Sequence, residues 1–379
     1  MENFTFYNPT KLHFGKGILA DLPNVISQYG NKVLLVYGQG SIKRSGLYEQ
    51  VISVLRKNEN NIVEFGGIKP NPHIEDVDLA AELGRKNKVD VILALGGGSV
   101  IDSAKIISIT IPVNHSGWDF YDHLDVPVKA VPLVAILTVA ATGTVMNHFA
   151  VQQNIKAKRK EGYTSDLIFP AHSFLDPEFT YTVPAVQTAY GIADMVAHCL
   201  ETYFSKGNCT LSDRFIFSII KDATEWAPKL MSNLNGYDER AAIMYDATMA
   251  LNLMTSNGKG AGDWGVHAMG HILSLLYDLP HGASLSIIFP AWMKLHKDQI
   301  TERLQKLGLA LSDTNSVIDT ITFIESFFKS IRAPVRLSEA GIGSDKHEEI
   351  VSVMVRNKAM GNNFKMSEGD FHKLVELMA

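Results

Sequence analysis

Residues 89–106 read VDVILALGGGSVIDSAKI, and this stretch decides the fold class. An apolar run of strand-forming residues ends at Leu95, and three glycines and Ser99 follow before a helical pattern begins. Such a turn lets backbone N–H groups approach phosphate oxygens, and the N-terminus of the helix adds a positive dipole. The turn matches neither Gly-x-Gly-x-x-Gly nor a Walker loop. It predicts a strand, a phosphate-binding turn and a helix, with a turn that binds no ligand as the alternative.

The same alternation of strand and helix surrounds this stretch. Apolar, strand-like runs occupy residues 32–37, 61–65 and 131–139, and residues 74–86 have helical periodicity. Fully apolar strands that are separated by helices predict a parallel sheet covered on both faces.

The pattern changes at Pro184, after which the strand-like runs stop. Helical patterns follow at residues 185–204, 211–231, 239–256 and 264–276. We therefore predict an α/β, Rossmann-like dinucleotide-binding domain over residues 1–183. An all-α domain that binds metal is predicted over residues 184–379.

The composition is that of an ordinary globular protein. Of the 379 residues, 46% are hydrophobic and 20% are charged, which excludes a disordered chain. The net charge of -5 provides no basic surface for nucleic acid. The longest apolar run, residues 131–141, is too short to span a bilayer, and the N-terminus lacks the pattern of a signal peptide. Two cysteines form no disulfide framework. We expect a cytoplasmic protein without a membrane or nucleic-acid partner.

Several metal-binding residue types fall in apolar surroundings in the second half of the chain. Asp194 and His198 are four residues apart, so a helix places both on one face. His267 and His281 follow much later, and His271 lies one helical turn after His267. Charged groups in apolar runs are costly unless they are paired or bound to metal. Two or three histidines and one carboxylate around a divalent ion are typical of a catalytic metal site. The alternative for Asp194 and His198 is a surface pair.

A second glycine-containing turn follows an earlier strand-like run. It contains Gly38, Gly40 and Ser41, where enzymes that bind NAD commonly carry an acidic residue for a ribose hydroxyl. No carboxylate occurs in this turn, and Lys43 and Arg44 lie close by in the sequence. These features favour a 2′-phosphate and therefore NADP(H). The alternative is a plain surface turn with solvated cations.

Motifs along the whole chain are specific together, although none of them is specific alone. They are FGKG at 14–17, YGQGS at 37–41, PNP at 70–72, GGGSVIDSAK at 96–105, DP at 176–177, Asp194 with His198, and His267 with His271 and His281. With these motifs the chain resembles the iron-containing (group III) alcohol dehydrogenases, most closely their butanol-dehydrogenase-like, NADPH-dependent aldehyde reductase branch. The resemblance implies a dehydroquinate-synthase-like fold, with cofactor and metal in the cleft between a Rossmann-like and a helical domain. It also implies a homodimer.

The resemblance further implies roles for single residues. It implies a divalent ion, Fe²⁺ or Zn²⁺, held by Asp194, His198, His267 and His281, and it places His271 near the nicotinamide and not on the metal. His271 is then either a proton relay to solvent or a core histidine bonded to a backbone carbonyl. The cofactor-binding residues that the resemblance and the two turns indicate are Gly38, Gly40, Ser41, Asn71, Gly97, Gly98, Ser99, Asp102, Thr138, Thr142, Asn147 and Lys160.

One stretch departs from the family pattern. The family has Thr-x-Pro-Ala-Thr-Gly-Ser-Glu after its fourth long strand, whereas residues 138–145 read TVAATGTV. Ala140 replaces the proline, Thr144 keeps a hydroxyl in place of the serine, and Val145 replaces the glutamate. A cofactor contact made by that glutamate is therefore in question for this chain.

The expected function is that of a metal-dependent oxidoreductase that transfers hydride between NADP(H) and small aliphatic aldehydes or primary alcohols. Two alternatives stay open. Dehydroquinate-synthase-like enzymes and glycerol or glycerol-1-phosphate dehydrogenases share this architecture, but they commonly use three metal ligands, and the fourth residue, His281, argues against them. The other alternative is an inactive nucleotide- or metal-binding regulator, which Val145 favours.

Overall fold

The computed structural model describes residues 1–379. Contacts divide the chain into two units, one formed by residues 7–183 and the other by residues 184–379 together with Met1–Phe6. The first six residues, which the sequence placed in the first range, thus pack with the second unit. The division into a dinucleotide-binding domain over 1–183 and a helical metal-binding domain over 184–379 stays a prediction.

The unit of residues 7–183 contains a six-stranded sheet and a separate hairpin. The strands are β1 (Lys11–Phe14), β2 (Lys32–Gly38), β3 (Asn61–Ile68), β4 (Val91–Gly96), β5 (Leu133–Leu137), β6 (Phe149–Asn154), β7 (Arg159–Thr164) and β8 (His172–Leu175). The sheet order is β1-β8-β5-β4-β2-β3, and every pair in it is parallel. The predicted parallel α/β sheet is confirmed.

Helices cover both faces of this sheet, as continuous apolar strands require. They are α1 (Leu22–Ile26), α2 (Ser41–Arg44), α3 (Leu47–Lys57), α4 (Ile74–Asn87), α5 (Gly98–Thr110) and α6 (Trp118–Tyr121). On one face, side chains of α1 and α3 pack against Val33, Leu35 and Leu93 in a single core cluster. On the other face, a Cβ atom on Gly84 of α4 would lie 3.3 Å from Leu34, so that helix packs directly on the sheet.

The antiparallel hairpin β6–β7 and the short strand β8 have no counterpart in the sequence prediction. The segment from β6 to β7 is rich in glutamine, lysine and arginine, and the sequence of 158–160 reads as a solvated basic run. Half of such a ribbon faces solvent, so it carries no apolar run that marks a buried strand.

The second unit is helical. Its helices are α7 (Ala185–Tyr203), α8 (Thr210–Ser232), α9 (Tyr237–Ala250), α10 (Gly265–Tyr277), α11 (His281–His296), α12 (Thr301–Ser312), α13 (Val317–Ser330), α14 (His347–Arg356) and α15 (Glu368–Met378). Six single turns of 3₁₀ helix complete the chain, at Ile18–Asp21, Thr144–Met146, Asp166–Ile168, Pro177–Thr180, Ser338–Ala340 and Ser344–Lys346. Helix α9 ends at Ala250, before the predicted residue 256; the next residue, Leu251, leaves the helical conformation with φ -131, and Leu253 has φ 82. None of the helices has the length and apolar character needed to cross a membrane.

Candidate metal centre and nucleotide-binding turns

Three helices of the second unit bring the predicted metal ligands together. Helix α7 carries Asp194 and His198, α10 carries His267, and α11 begins at His281. The Asp194 Oδ1 atom lies 3.5 Å from His198 Nε2, 3.8 Å from His267 Nε2 and 3.7 Å from His281 Nε2. Donor atoms of Asp194, His267 and His281 all lie within 4.8 Å of one another, and His198 is not part of that tighter group.

The chemistry of these donors fits a divalent cation. Asp194 and His267 are 3% and 7% exposed, yet Asp194 Oδ1 and His267 Nε2 have no hydrogen-bond partner. Leaving buried polar atoms unpaired is costly, and a bound cation removes that cost. At metal–ligand bonds of about 2.1 Å, two ligands of a tetrahedral ion lie about 3.4 Å apart, close to the spacing observed around Asp194. Nitrogen and carboxylate donors suit Zn²⁺ or Fe²⁺.

The electrostatics of the cluster are strongly perturbed. Burial lowers the pKa of His198 to about 4, although the carboxylate of Asp194 acts in the opposite direction. Burial also acts to lower the pKa of His267, but the carboxylates of Asp194 and Glu201 outweigh it and raise that pKa to about 9. The two carboxylates thus create a negative potential at the histidines, which favours a cation there.

The sequence does not single out Glu201, which the structure places behind His267. Glu201 is 1% exposed, and its Oε1 atom lies 2.9 Å from His267 Nδ1. Asp194, His198 and Glu201 occupy positions i, i+4 and i+7 of α7, so the signal in the sequence was a third polar residue on the same face of one helix.

Trp264 and His271 lie beside the candidate metal ligands. The Trp264 ring lies 5.1 Å from the His267 ring and 6.1 Å from the His198 ring, measured between centroids. His271, the predicted proton relay, is half-buried one turn along α10 from His267, and its ring centroid lies 5.3 Å from that of His281. The structure therefore gathers His271 with the candidate ligands.

In the first unit, the two glycine turns lie at the same edge of the sheet. Strands β2 and β4 are parallel neighbours, with Tyr37 opposite Leu95, so that Gly38 and Gly96 end adjacent strands. Ligands of open α/β sheets bind beyond the carboxyl ends of the strands. At this edge the N-terminus of α5, which begins at Gly98, presents free backbone donors and a positive dipole.

The 138–149 segment packs against the turn after β4. Thr138 N donates to Gly96 O at 3.0 Å, and a Cβ atom on Gly98 would lie 2.7 Å from Thr142 Cγ2. Only glycine leaves room for this approach, so Gly98 explains why Thr142 lies beside the helix N-terminus.

Some predicted cofactor residues already hold this unit together. Asp102 accepts hydrogen bonds from the hydroxyl of Thr144 at 2.6 Å and from the backbone N–H of Val151 at 2.9 Å. Asn147, 1% exposed, accepts from Lys105 Nζ at 2.8 Å and donates to Gly143 O at 3.0 Å. The structure thus gives Asp102 and Asn147 internal contacts.

Other predicted cofactor residues lie close together or at the first turn. Lys160 Nζ donates to Asn71 Oδ1 at 2.8 Å, although 89 residues separate them. Gly40 has φ 132 and precedes Ser41, the first residue of α2. Gly97 and Ser99 flank the start of α5 at Gly98.

Val145, which replaces the family glutamate, is fully buried. Its carbonyl oxygen accepts a hydrogen bond from Ser173 Oγ at 2.6 Å. The apolar side chain therefore fills the interior of the first unit, where a carboxylate would need a partner.

Comparisons with known proteins agree with this architecture. Residues 9–177 match the family described as iron-containing alcohol dehydrogenase, and residues 188–377 match the C-terminal part of the Fe-containing alcohol dehydrogenase family. The chain is 39% identical to the probable NADH-dependent butanol dehydrogenase 2 of Bacillus subtilis, over 99% of this chain and 97% of that protein. It is 35% identical to the NADPH-dependent aldehyde reductase YqhD of Escherichia coli, over 90% of each chain.

A solved structure with the same fold is that of NADH-dependent butanol dehydrogenase A from Thermotoga maritima. It superposes with a TM-score of 0.96 at 35% sequence identity, and the match covers 100% of this chain and 99% of that one. The two family matches together span nearly the whole chain. This protein therefore belongs to the iron-containing alcohol dehydrogenase family and is an oxidoreductase that acts on alcohols or aldehydes.

Proposed function

We propose that this protein transfers hydride between NADP(H) and small aliphatic aldehydes or primary alcohols, with Fe²⁺ or Zn²⁺ held by Asp194, His198, His267 and His281. The observation that carries the proposal is the convergence of one carboxylate oxygen and three imidazole Nε2 atoms, at 3.5–3.8 Å, from three helices. When bound, the metal supplies Lewis acidity toward the substrate oxygen.

In the reductive direction, NADPH reduces an aldehyde to the corresponding alcohol. The aldehyde carbon gains a hydride from NADPH, the aldehyde oxygen gains a proton, and NADP⁺ and the alcohol are released. His271 is the proton donor that we propose, because it is half-buried beside His281 and imidazole titrates near neutral pH. Asp194 and Glu201 supply the negative charge that offsets the cation.

We propose NADP(H) over NAD(H) from the first glycine turn. Gly38 ends β2 without a carboxylate, and the Glu64 side chain on the next strand accepts hydrogen bonds from the hydroxyls of Tyr37 at 3.1 Å and Tyr48 at 2.7 Å. Lys43 Nζ lies 5.0 Å from the centre of the Tyr37 ring. A cation near the turn, and a Glu64 carboxylate that is already hydrogen-bonded to two tyrosines, favour binding of a 2′-phosphate over a 2′-hydroxyl. Relatives named as NADH-dependent and as NADPH-dependent both occur, so the coenzyme preference is proposed from the residues of this chain alone.

Elemental analysis of the purified protein, together with initial rates for NADPH and NADH across an aldehyde series, tests the proposal. We expect one equivalent of iron or zinc per chain, turnover of short aliphatic aldehydes such as butanal, and a higher kcat/KM with NADPH. His267→Ala should lose both the bound metal and turnover. His372→Ala removes an imidazole that is 41% exposed and should keep both. An active His267→Ala protein without metal overturns the proposal.

We further propose that the protein is a cytoplasmic homodimer. The support is the family resemblance, the sparse cysteine content, and the edge position of β1, since edge strands offer unpaired backbone groups to a second chain. Light scattering on the metal-loaded protein should give twice the chain mass of 41.8 kDa. Fractionation of the producing cells should recover the activity in the cytoplasmic fraction.

A further inference from the structure

Helix α10, which carries His267, has no side-chain cap at the residue directly before it. The first N–H groups of a helix need partners from outside it, usually a side chain at the residue before the helix. That residue is Trp264, which has φ 63 and makes no side-chain hydrogen bond to the helix. The N–H of His267, the third residue of the helix, instead donates to Glu201 Oε1 of α7 at 2.9 Å. A carboxylate from another helix therefore caps α10.

The same carboxylate oxygen also holds the ring of His267. Glu201 Oε1 lies 2.9 Å from His267 Nδ1. A carboxylate oxygen only accepts hydrogen bonds, so Nδ1 carries a proton, and Nε2 is the nitrogen that provides the lone pair when the ring is neutral and binds a metal. His267 Nε2 is the atom that lies 3.8 Å from Asp194 Oδ1. The ring is thereby fixed in the tautomer and orientation that direct its lone pair toward the other donors.

A capping role alone does not explain the position of Glu201. Its side chain is 1% exposed, and burial of a carboxylate is costly unless several donors compensate it. Capping the helix requires a hydrogen bond from a backbone N–H only. Here the same oxygen of Glu201 accepts hydrogen bonds from both the backbone N–H and the ring N–H of His267. The backbone of Glu201 also binds the segment just before α10, since Asp263 N donates to Glu201 O at 3.1 Å.

We propose that Glu201 is a positioning residue for the metal centre, which sets the tautomer and raises the basicity of the ligand His267. The proposal rests on the proposed ligand role of His267. A carboxylate behind a metal-bound histidine fixes the ring and strengthens it as a ligand, and loss of such a partner typically weakens metal binding 10- to 100-fold.

The test compares three full-length variants with the wild type. Glu201→Gln keeps an oxygen that can accept both N–H groups but removes the charge, and Glu201→Ala removes the acceptor. Glu325→Gln is the matched control, because Glu325 is a buried carboxylate of the same unit that binds Lys294, Lys329 and Arg336 instead of a candidate ligand. Each protein is stripped of metal and titrated with Zn²⁺ against a chromophoric chelator, and the Tm of the stripped protein is recorded.

We expect Glu201→Gln to raise the Kd for Zn²⁺ about 10- to 100-fold while its Tm stays close to that of the wild type. Glu201→Ala should bind Zn²⁺ more weakly still and also lose Tm, since the cap is gone. Glu325→Gln should lower the Tm but leave the Kd within about threefold. A well-folded Glu201→Gln protein whose Kd for Zn²⁺ equals that of the wild type overturns the proposal, because a purely structural carboxylate gives that result.

Failure of this inference is distinct from failure of the proposed function. If His267→Ala abolishes zinc binding while Glu201→Gln does not weaken it, the ligand set stands and the role of Glu201 is overturned. If His267→Ala binds zinc as tightly as the wild type, the ligand set itself is wrong, and the inference about Glu201 falls with it. A second readout is the ¹⁵N spectrum of histidine-labelled, zinc-loaded protein, in which His267 should show a protonated Nδ1.

Discussion

Gly282 packs so closely against the backbone of Tyr190 that a Cβ atom built on it would lie 1.9 Å from the Tyr190 carbonyl oxygen. Tyr190 lies on α7, one turn before Asp194, and Gly282 is the second residue of α11, directly after His281. The approach of these two backbones sets the distance between the helix that carries the carboxylate and the helix that begins with a candidate ligand.

Gly282→Ala should therefore disturb both stability and metal binding. The added methyl group has to push α7 and α11 apart, which costs about 1–3 kcal/mol, and His281 moves with the start of α11. We expect a lower Tm and a Kd for Zn²⁺ that rises at least tenfold. Gly369→Ala in α15 is the control, since its Cβ meets only Ser367 Oγ at 3.8 Å. Equal zinc affinity in Gly282→Ala and the wild type contradicts the expectation.

Gly38→Asp should shift the coenzyme preference. A Cβ atom on Gly38 meets Ile68 O and Val100 Cγ2 at 3.6 Å each, which is ordinary contact, so a side chain fits there. A carboxylate at the end of β2 repels a 2′-phosphate and accepts a hydrogen bond from a 2′-hydroxyl. We expect the ratio of kcat/KM for NADPH to that for NADH to fall at least tenfold.

Gly38→Ala separates the charge from the added bulk in this experiment. It adds the same Cβ without the carboxylate, so it should change the coenzyme ratio about twofold or less. A ratio that is the same in Gly38→Asp and the wild type means that the turn at Gly38 does not contact the ribose, and the NADP(H) preference then loses its basis.

The sequence predicts what depends on local pattern. Apolar runs that alternate with helices are enough to predict the parallel sheet, and the four-residue spacing of Asp194 and His198 is enough to place them on one face of a helix. The spacing of Glu201 from Asp194 and His198 indicates the same face of α7, but its contact with His267 spans 66 residues, and no periodicity predicts that contact. The polar hairpin β6–β7 is not predicted either, because its strands pair regularly but contain no apolar run that would mark them in the sequence.

Lys105 is another residue whose contacts only the structure reveals, and Lys105→Met should weaken both stability and coenzyme binding. The lysine is fully buried in α5, and its Nζ donates to Asn147 Oδ1 at 2.8 Å and to Phe149 O at 2.7 Å. Removing the amine leaves buried acceptors underpaired, which costs about 1–3 kcal/mol. The 143–149 segment beside the glycine turn is then less firmly held.

The measurement for Lys105→Met is the free energy of unfolding in urea together with the KM for NADPH. We expect the free energy of unfolding to fall and the KM to rise severalfold, with a smaller change in kcat. Lys156→Met, an exposed lysine of the same unit, should change neither quantity. A stable Lys105→Met protein with an unchanged KM would show that neither stability nor coenzyme binding requires the hydrogen bonds from Lys105 to the 143–149 segment.

Asp246 should make the stability of the protein fall as the pH rises from about 4 to 8. It is 8% exposed on α9, and its Oδ2 atom has no hydrogen-bond partner. Burial, and then the negative charge of Asp222, raise the pKa of Asp246 from 3.8 to about 8. Asp246 in the unfolded chain therefore loses its proton above a pH near 3.8, whereas Asp246 in the folded protein keeps its proton until the pH approaches 8. The contribution of Asp246 to the free energy of unfolding is greatest below the pKa of the unfolded chain. It is lost as the pH approaches 8, by at most about 1.4 kcal/mol per pH unit for one proton.

Asp246→Asn keeps the shape of the side chain and removes this proton, so it tests the linkage directly. The free energy of unfolding of the variant, minus that of the wild type, should increase between pH 5 and pH 8 in urea titrations. Subtracting the wild-type value cancels the other titrating groups that both proteins share. Asp298→Asn, which removes an exposed carboxylate, should differ from the wild type by the same amount at both pH values. If the Asp246→Asn difference is also constant with pH, Asp246 is ionised in the folded protein, and the carboxylate pair between α8 and α9 carries its full charge.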